Sequence, residues 1–537
     1  GALLAAIRLP HRFWLWAGVG VGMNLLHAFS MEYFWGLELI RPVLIYLVLR
    51  ETTPVREEGA KTSRVWPGTA FVSVLKTWLP YLAATGAAVI WRMFFVQLAQ
   101  HDPNELVLVG KLVKSPGAGL IELAQMTLKD SAYILIIRWF ETFQVIWLEF
   151  SDRFGWFAWG MGIVSASVFW FYFWRREGIE QGEERPLHVL QAVGVGYLAL
   201  FAGGLSAWLA GRQLTVGLYA DRFALPMLFG VAMMTVGFVE SMTHPKKKAF
   251  AFAILLGLAI TLQLRTQNDY RWDWVNQQRA FWQLYWRAPA LADHTVIFSD
   301  GSLFRYTGGY PTATAVNVLY PQYRETNEMS YWFLELDRGY TQVLPEMLAG
   351  DFPILADFRQ YSFSGTSGQS LVVYYAPAQG NCLWVMRESD RYNPALPELT
   401  KKAVPLSNLE QILVGNSGAP PDSRVFGPEP AHTWCYFYQK AELARQQEDW
   451  ATIVSLAEAS AAQGLSPNNR LEWLPFVEAY AHTGDWSRAI ALSVDALNYS
   501  RTTRNLFCPI WRGFEQEGLV APARTFAEVY ERLGCEG

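Results

Sequence analysis

The chain has 537 residues, 52% hydrophobic and 17% charged, with a net charge of −4, which is room for two or three domains. A near-neutral balance gives no reason to expect a nucleic-acid partner, and the four cysteines show no metal-ligand spacing. These averages conceal an uneven chain: residues 13–266 carry repeated apolar runs, whereas 267–537 have a soluble composition.

In chain order, a membrane helix needs about 20 mostly apolar residues. Segments 13–29, 75–97, 157–174, 189–210, 222–242 and 249–266 meet that need, and 33–49 is a further span despite Glu38 and Arg41. The expected fold is a polytopic α-helical membrane domain of about seven spans over 1–266. Trp and Tyr cluster near the ends of the runs, the depth that amphipathic rings prefer. Arg8 and Arg12, the group Arg50 to Arg64, Arg175 to Arg185, and Lys246 to Lys248 fall at every second connection. By the positive-inside rule these connections are cytoplasmic, so the chain beyond Arg265 is extracytoplasmic, at a plasma (cytoplasmic) membrane. Segment 130–150 is apolar but holds Asp130, Arg138, Glu141 and Glu149 along one face. That amphipathic stripe predicts an interfacial or re-entrant helix, because a span there would reverse every earlier loop. The stripe is either a solvated face or, with Arg138 and Glu141, the lining of a substrate groove.

Residues 267–390 predict a small extracytoplasmic α/β domain, entered through an aromatic helix at 270–289 and with strands at 294–301, 370–377 and 382–388. Residues 391–432, rich in Pro, Gly, Asn and Ser, predict a linker. From 433 to 537 the pattern is helical and repeats. Asp449-Trp450 and Asp485-Trp486 occupy equivalent turns, each before an alanine-rich helix, with Gly484 ahead of the second pair and Glu448 ahead of the first. A third unit runs from Ile510 to Leu533. This resembles the tetratricopeptide (TPR) helix–turn–helix unit. Cys382, Cys435, Cys508 and Cys535 all lie in the second half, as disulfides or as buried thiols.

No phosphate loop, nucleophile elbow or zinc-type His pair is present. The most informative stretch is Gly217 to Met227, where Tyr219, Asp221 and Arg222 precede Pro226 at the start of a span. Arg222 and the open amides of a helix start could hold an anion, or the Asp221–Arg222 pair simply marks the interface. Arg92, near the outer end of its span, either snorkels or joins Arg222 on a lipid phosphate. Glu38 and Arg41, three apart, would neutralise each other; His27 reads as a packing residue and Asp300 as a turn.

The Arg222, Phe223 and Pro226 entry into a late span resembles the GT-C membrane glycosyltransferases, as does the stretch 286–301; the likeness covers roughly 190–310. It implies transfer of a sugar from a polyprenyl-phosphate donor at the extracytoplasmic face, with Arg222, Asp221, Tyr219 and Arg92 around the lipid phosphate. No cofactor is expected, and participation of a divalent metal stays open. The family's acid lies in a long first outer loop, whereas here that connection offers Glu32 alone; either further spans with that loop precede Gly1, or the chain is a relative without that activity. The competing reading is a non-catalytic anchor whose TPR-like repeats recruit extracytoplasmic partners or join an envelope assembly.

Overall fold

The computed structural model describes residues 2–52, 67–95, 107–140, 153–176, 185–214, 221–322, 324–415 and 418–535. The chain divides into two compact units, Gly1–Asp269 and Tyr270–Gly537.

The first unit is helical. It runs α1 (Ala2–Arg8), α2 (Phe13–Ser30), a 3-10 segment (Glu32–Ile40), α3 (Arg41–Thr52), α4 (Pro67–Phe94), α5 (Val107–Lys114), α6 (Pro116–Ala132), a π segment (Tyr133–Ile137), α7 (Arg138–Phe140), α8 (Arg153–Arg176), α9 (Arg185–Leu209), a short 3-10 turn (Asp221–Ala224), α10 (Leu225–Glu240) and the start of α11 (Pro245–Arg287). Among the described residues, four helices are long and apolar enough to cross a membrane: Arg153–Arg175, His188–Leu209, Arg222–Glu240 and Pro245–Arg287. They cover the expected segments 157–174, 189–210, 222–242 and 249–266. Large apolar side chains face outward from the unit: Trp14 is 80% exposed and Phe94 72%. Water penalises such a surface and hydrocarbon does not. Close packing between α9 and α10 depends on glycine: a Cβ on Gly230 would lie 2.3 Å from the Gly196 carbonyl oxygen, a small-residue contact of the kind that holds membrane helices together.

Two expectations change here. Residues 33–49 are not one helix, because the chain winds as a 3-10 segment to Ile40 and restarts as α3 at Arg41. Pro42 explains the restart: it has no N–H to return to the Glu38 carbonyl, yet suits a helix's first turn. The expected interfacial helix at 130–150 also differs. Its described part, to Phe140, continues a helix that begins at Pro116 and loosens into the π segment, while 141–150 lie outside the described residues. The pairing of α5 with α6 escaped notice because Lys111, Lys114, Glu122 and Lys129 interrupt the apolar run.

The second unit opens with the end of α11, where Phe281, Trp282, Leu284 and Trp286 are buried. Next come β1 (Thr295–Ser299), α12 (Gly309–Leu319), β2 (Tyr331–Glu335), α13 (Leu344–Ala349), β3 (Pro353–Phe358), β4 (Tyr361–Thr366), β5 (Ser370–Tyr375) and β6 (Leu383–Val385). The main sheet has the order β2-β1-β5-β6; β1 is parallel to β2 and β5, and β6 is antiparallel to β5. Ile297 lies opposite Phe333 on one side and Leu371 on the other. β1 and β5 are buried throughout, as continuous Val/Ile/Leu-rich strands of a covered parallel sheet should be. β3 and β4 form a separate hairpin.

Residues 391–432 are not a linker. They contain α14 (Glu398–Ala403) and α15 (Ser423–Phe426) and place Leu396, Ala403, Val404, Leu406 and Phe426 in the same core as the sheet. Ser407 Oγ accepts from Val372 N at 3.1 Å, so this polar-looking stretch is bonded to the sheet. Three helix pairs follow: α16 (Trp434–Gln446) with α17 (Trp450–Ala462), α18 (Leu474–His482) with α19 (Trp486–Tyr499), and α20 (Arg504–Gln516) with α21 (Thr525–Leu533). Asp449 caps α17 by accepting Thr452 N at 3.0 Å, and Asp485 caps α19 by accepting Arg488 N at 3.1 Å. The residue before each is left-handed, Gly484 at φ 84° and Glu448 at φ 56°. That is why glycine suits the turn, and Glu448 holds a conformation costing a side-chain-bearing residue about 1–2 kcal/mol. All four cysteines are paired, Cys382 with Cys435 and Cys508 with Cys535, which resolves the alternative left open above.

Candidate functional site

The 3-10 segment Glu32–Ile40 organises the polar interior of the first unit. It lies against α9 so closely that a Cβ on Gly36 would fall 1.9 Å from the Ala202 carbonyl oxygen. One turn later Glu38, only 8% exposed, accepts two bonds from Arg41: Nε to Oε1 at 2.5 Å and Nη2 to Oε2 at 2.8 Å. The i,i+3 spacing that suggested mutual neutralisation therefore closes a bidentate pair. Other helices complete it. Trp78 Nε1 of α4 donates to Glu38 at 3.2 Å, and Asn24 Oδ1 of α2 accepts from Arg41 Nη2 at 3.1 Å. Asn24 in turn donates to Thr85 Oγ1 at 2.9 Å, while Arg41 lies 4.2 Å from the centre of the Tyr81 ring.

Glu38, Arg41, Asn24 and Thr85 of this network line a cavity of about 270 Å³ together with His27, Phe34, Trp35, Leu44 and Phe229. His27 packs edge-on against Phe34 at 4.8 Å, the aromatic contact expected of it, and also borders the cavity. Buried ions are expensive unless paired, and here each charge is paired and hydrogen-bonded. The sequence carried a signal for these residues: Asn24 and Thr85 are polar interruptions of otherwise apolar helices.

The start of the same segment meets the two predicted arginines. Glu32 is ion-paired with Arg92, so Arg92 does not merely snorkel. The next residue, Tyr33, packs edge-on against Phe223 at 5.7 Å, and the Arg222 guanidinium lies 6.0 Å from the Tyr33 ring and 5.2 Å from that of Phe223. Adjacent residues of one segment thus engage Arg92 and Arg222, and Phe34 continues into the cavity. Pro226 sits in the first turn of α10, as expected. Asp221 opens the preceding 3-10 turn; Tyr219 and Glu141 lie outside the described residues. Arg138 belongs to α7, after the π segment, and is half-buried. Nearby, Asp130 is buried and accepts from Trp208 Nε1 at 2.8 Å and Leu214 N at 3.2 Å, an anchoring role and not the solvated face considered from sequence.

The second unit has buried charges of another kind. Arg445 is paired with Glu442 at 3.0 Å and with Glu478. Burial opposes the Arg445 charge, but the two carboxylates overcome it and keep the pKa above the usual arginine range. Glu472 has no such cation: it accepts from Cys382 N at 2.8 Å, Trp384 Nε1 at 3.0 Å and Trp434 Nε1 at 2.7 Å. Burial pushes its carboxyl up to about 7 against these donors, and pushes Asp390 up to about 6. Glu472 thus knits the sheet to the helix pairs, and Arg445 joins α16 to α18. Asp300 accepts from Gly301 N at 3.0 Å, the turn expected of it. Among the described residues no group of three or more His, Cys, Asp or Glu side chains could hold a metal ion.

No family model matches this chain, and no curated protein and no solved structure is significantly similar to it.

Proposed function

We propose that the first unit is a GT-C-like membrane glycosyltransferase, moving a sugar from a polyprenyl-phosphate donor to an acceptor at the extracytoplasmic face. The observation that carries this reading is the Glu32–Ile40 segment. Its first residues engage Arg92 and Arg222, and its later ones line a polar cavity. Arg222, exposed in the 3-10 turn ahead of α10, is in this reading the cation that meets the anionic phosphate. Arg92, already paired to Glu32, positions the segment and contributes less. Two disulfides in the second unit support its placement in an oxidising, extracytoplasmic compartment, in agreement with the Lys246–Lys248 turn.

The test is transfer from a polyprenyl-phosphate sugar in membranes carrying the chain. Arg222→Ala should abolish transfer while expression and folding persist; full activity in that variant would end the proposal. A second role rests on the three helix pairs, read as TPR-like: recruitment of an extracytoplasmic protein. Because they share a core with the sheet, deletion is the wrong experiment. Charge reversal at exposed Arg488 and Glu458 should instead weaken partner binding with the fold intact.

A further inference from the structure

We infer that the 270 Å³ cavity of the first unit is a binding site for a neutral, hydroxylated ligand of about one sugar ring, with Glu38 as its hydrogen-bond acceptor. Three observations lead there. The first is size: a space of about 270 Å³ has room for a single pyranose ring. The second is charge. Glu38 and Arg41 are joined by two bonds at 2.5 and 2.8 Å, so the lining brings no net charge to a low-dielectric site. A phosphate or ammonium entering it would be left without a counter-ion, at heavy desolvation cost. The third is composition. Small-ligand sites combine apolar and aromatic walls with a few placed polar groups. Here Phe34, Trp35 and Phe229 form walls, while Glu38, Asn24 and Thr85 supply carboxylate, amide and hydroxyl.

An alkyl chain has no use for a carboxylate–guanidinium pair held at membrane depth, since such a pair is costly to bury. A hydroxylated ring does: each hydroxyl both donates and accepts, so it can donate to Glu38 without disturbing the pair's net charge. The anionic part of any donor stays at the Arg222 end of the same segment. The choice of a sugar ring over another neutral polyol rests on the transferase reading; the preference for a neutral hydroxylated ligand does not.

The experiment measures binding, not transfer. The full chain in nanodiscs is titrated by equilibrium dialysis with radiolabelled octyl glucoside, octyl phosphate and octanol, with empty nanodiscs subtracted. Saturable binding of octyl glucoside is expected, at least tenfold tighter than of the other two. Glu38→Gln should weaken it at least tenfold, and Leu44→Phe, which narrows the cavity without touching the ion pair, should do likewise. The readout is binding and not transfer, so a failed transferase reading and a failed cavity reading give different results. If Glu38→Gln does not fold, Leu44→Phe decides. Equal or tighter binding of octyl phosphate overturns the inference. So do equal binding of all three probes, which would mean an alkyl-chain site, and glucoside binding indifferent to Leu44→Phe.

Discussion

The two units bury charge in opposite circumstances. In the first, Glu38 and Arg41 sit inside a body whose outer face is apolar, with Phe71, Val168 and Leu190 exposed, and the pair borders an open cavity. In the second, Arg445, Glu442 and Glu478 are enclosed by a continuous core of apolar side chains drawn from both sheet and helices. The contrast teaches that the Glu38–Arg41 pair is held where there is space beside it, whereas the Arg445 ion pairs fasten α16 to α18 within a shared core.

Breaking the enclosed network should give the largest effect. Arg445→Met leaves two buried carboxylates without their cation and should destabilise the second unit by about 3–5 kcal/mol, seen as a lower midpoint in chemical denaturation monitored by near-UV circular dichroism. Opening the Cys508–Cys535 bond by double substitution to Ser releases a 27-residue closure and should cost about 3 kcal/mol, while the helical signal of the first unit persists. On the membrane side, Gly36→Ala drives a methyl into the Ala202 carbonyl. It should cost about 2 kcal/mol, with reduced thermal stability in nanodiscs and weakened glucoside binding.

A pH dependence separates the two kinds of interior further. The folded pKa of Glu472, about 7, is raised above its ordinary value. Its contribution is therefore fully present below about pH 4.5 and is lost as pH rises through about 7. Asp390, pushed up to about 6, acts in the same direction. The second unit should lose on the order of 2 kcal/mol between pH 5 and 8, and Glu472→Gln should flatten that slope; a slope unchanged by the substitution would assign it to other groups. The smallest effect is at the repeat turns. Glu448→Gly relieves a left-handed glutamate and should stabilise by about 1 kcal/mol, whereas Gly484→Ala should destabilise by a similar amount, both read from thermal midpoints.

Much of this was legible in the sequence, for reasons that can be stated. The late apolar helices announce themselves by length alone, and the Asp-Trp turns announce helix pairs because capping and left-handed geometry restrict which residues fit. The strands at 295–299 and 370–375 were readable as buried apolar runs. What escaped was set by tertiary context. Pro42 looked compatible with a span, yet it splits 33–49 into a 3-10 segment and a helix. Residues 391–432 looked like a linker because their apolar residues are spaced irregularly, and only the sheet they pack on gives those positions meaning. At the site, Arg92 and Arg222 were named from residue type and position. Their common partner segment, and the roles of Asn24, Trp78 and Thr85, depend on which helices become neighbours, and no periodicity encodes that.

The pairing of every cysteine has a practical side. With no thiol left free, the protein is chemically silent toward maleimides and spin labels, so any cysteine introduced at a surface position becomes the sole reporter. A label at position 355, on the exposed edge of the β3–β4 hairpin, or at position 222 can then be read for depth against lipid-borne quenchers without altering another residue. The bonds that staple the second unit thus leave the whole chain open to being mapped one site at a time.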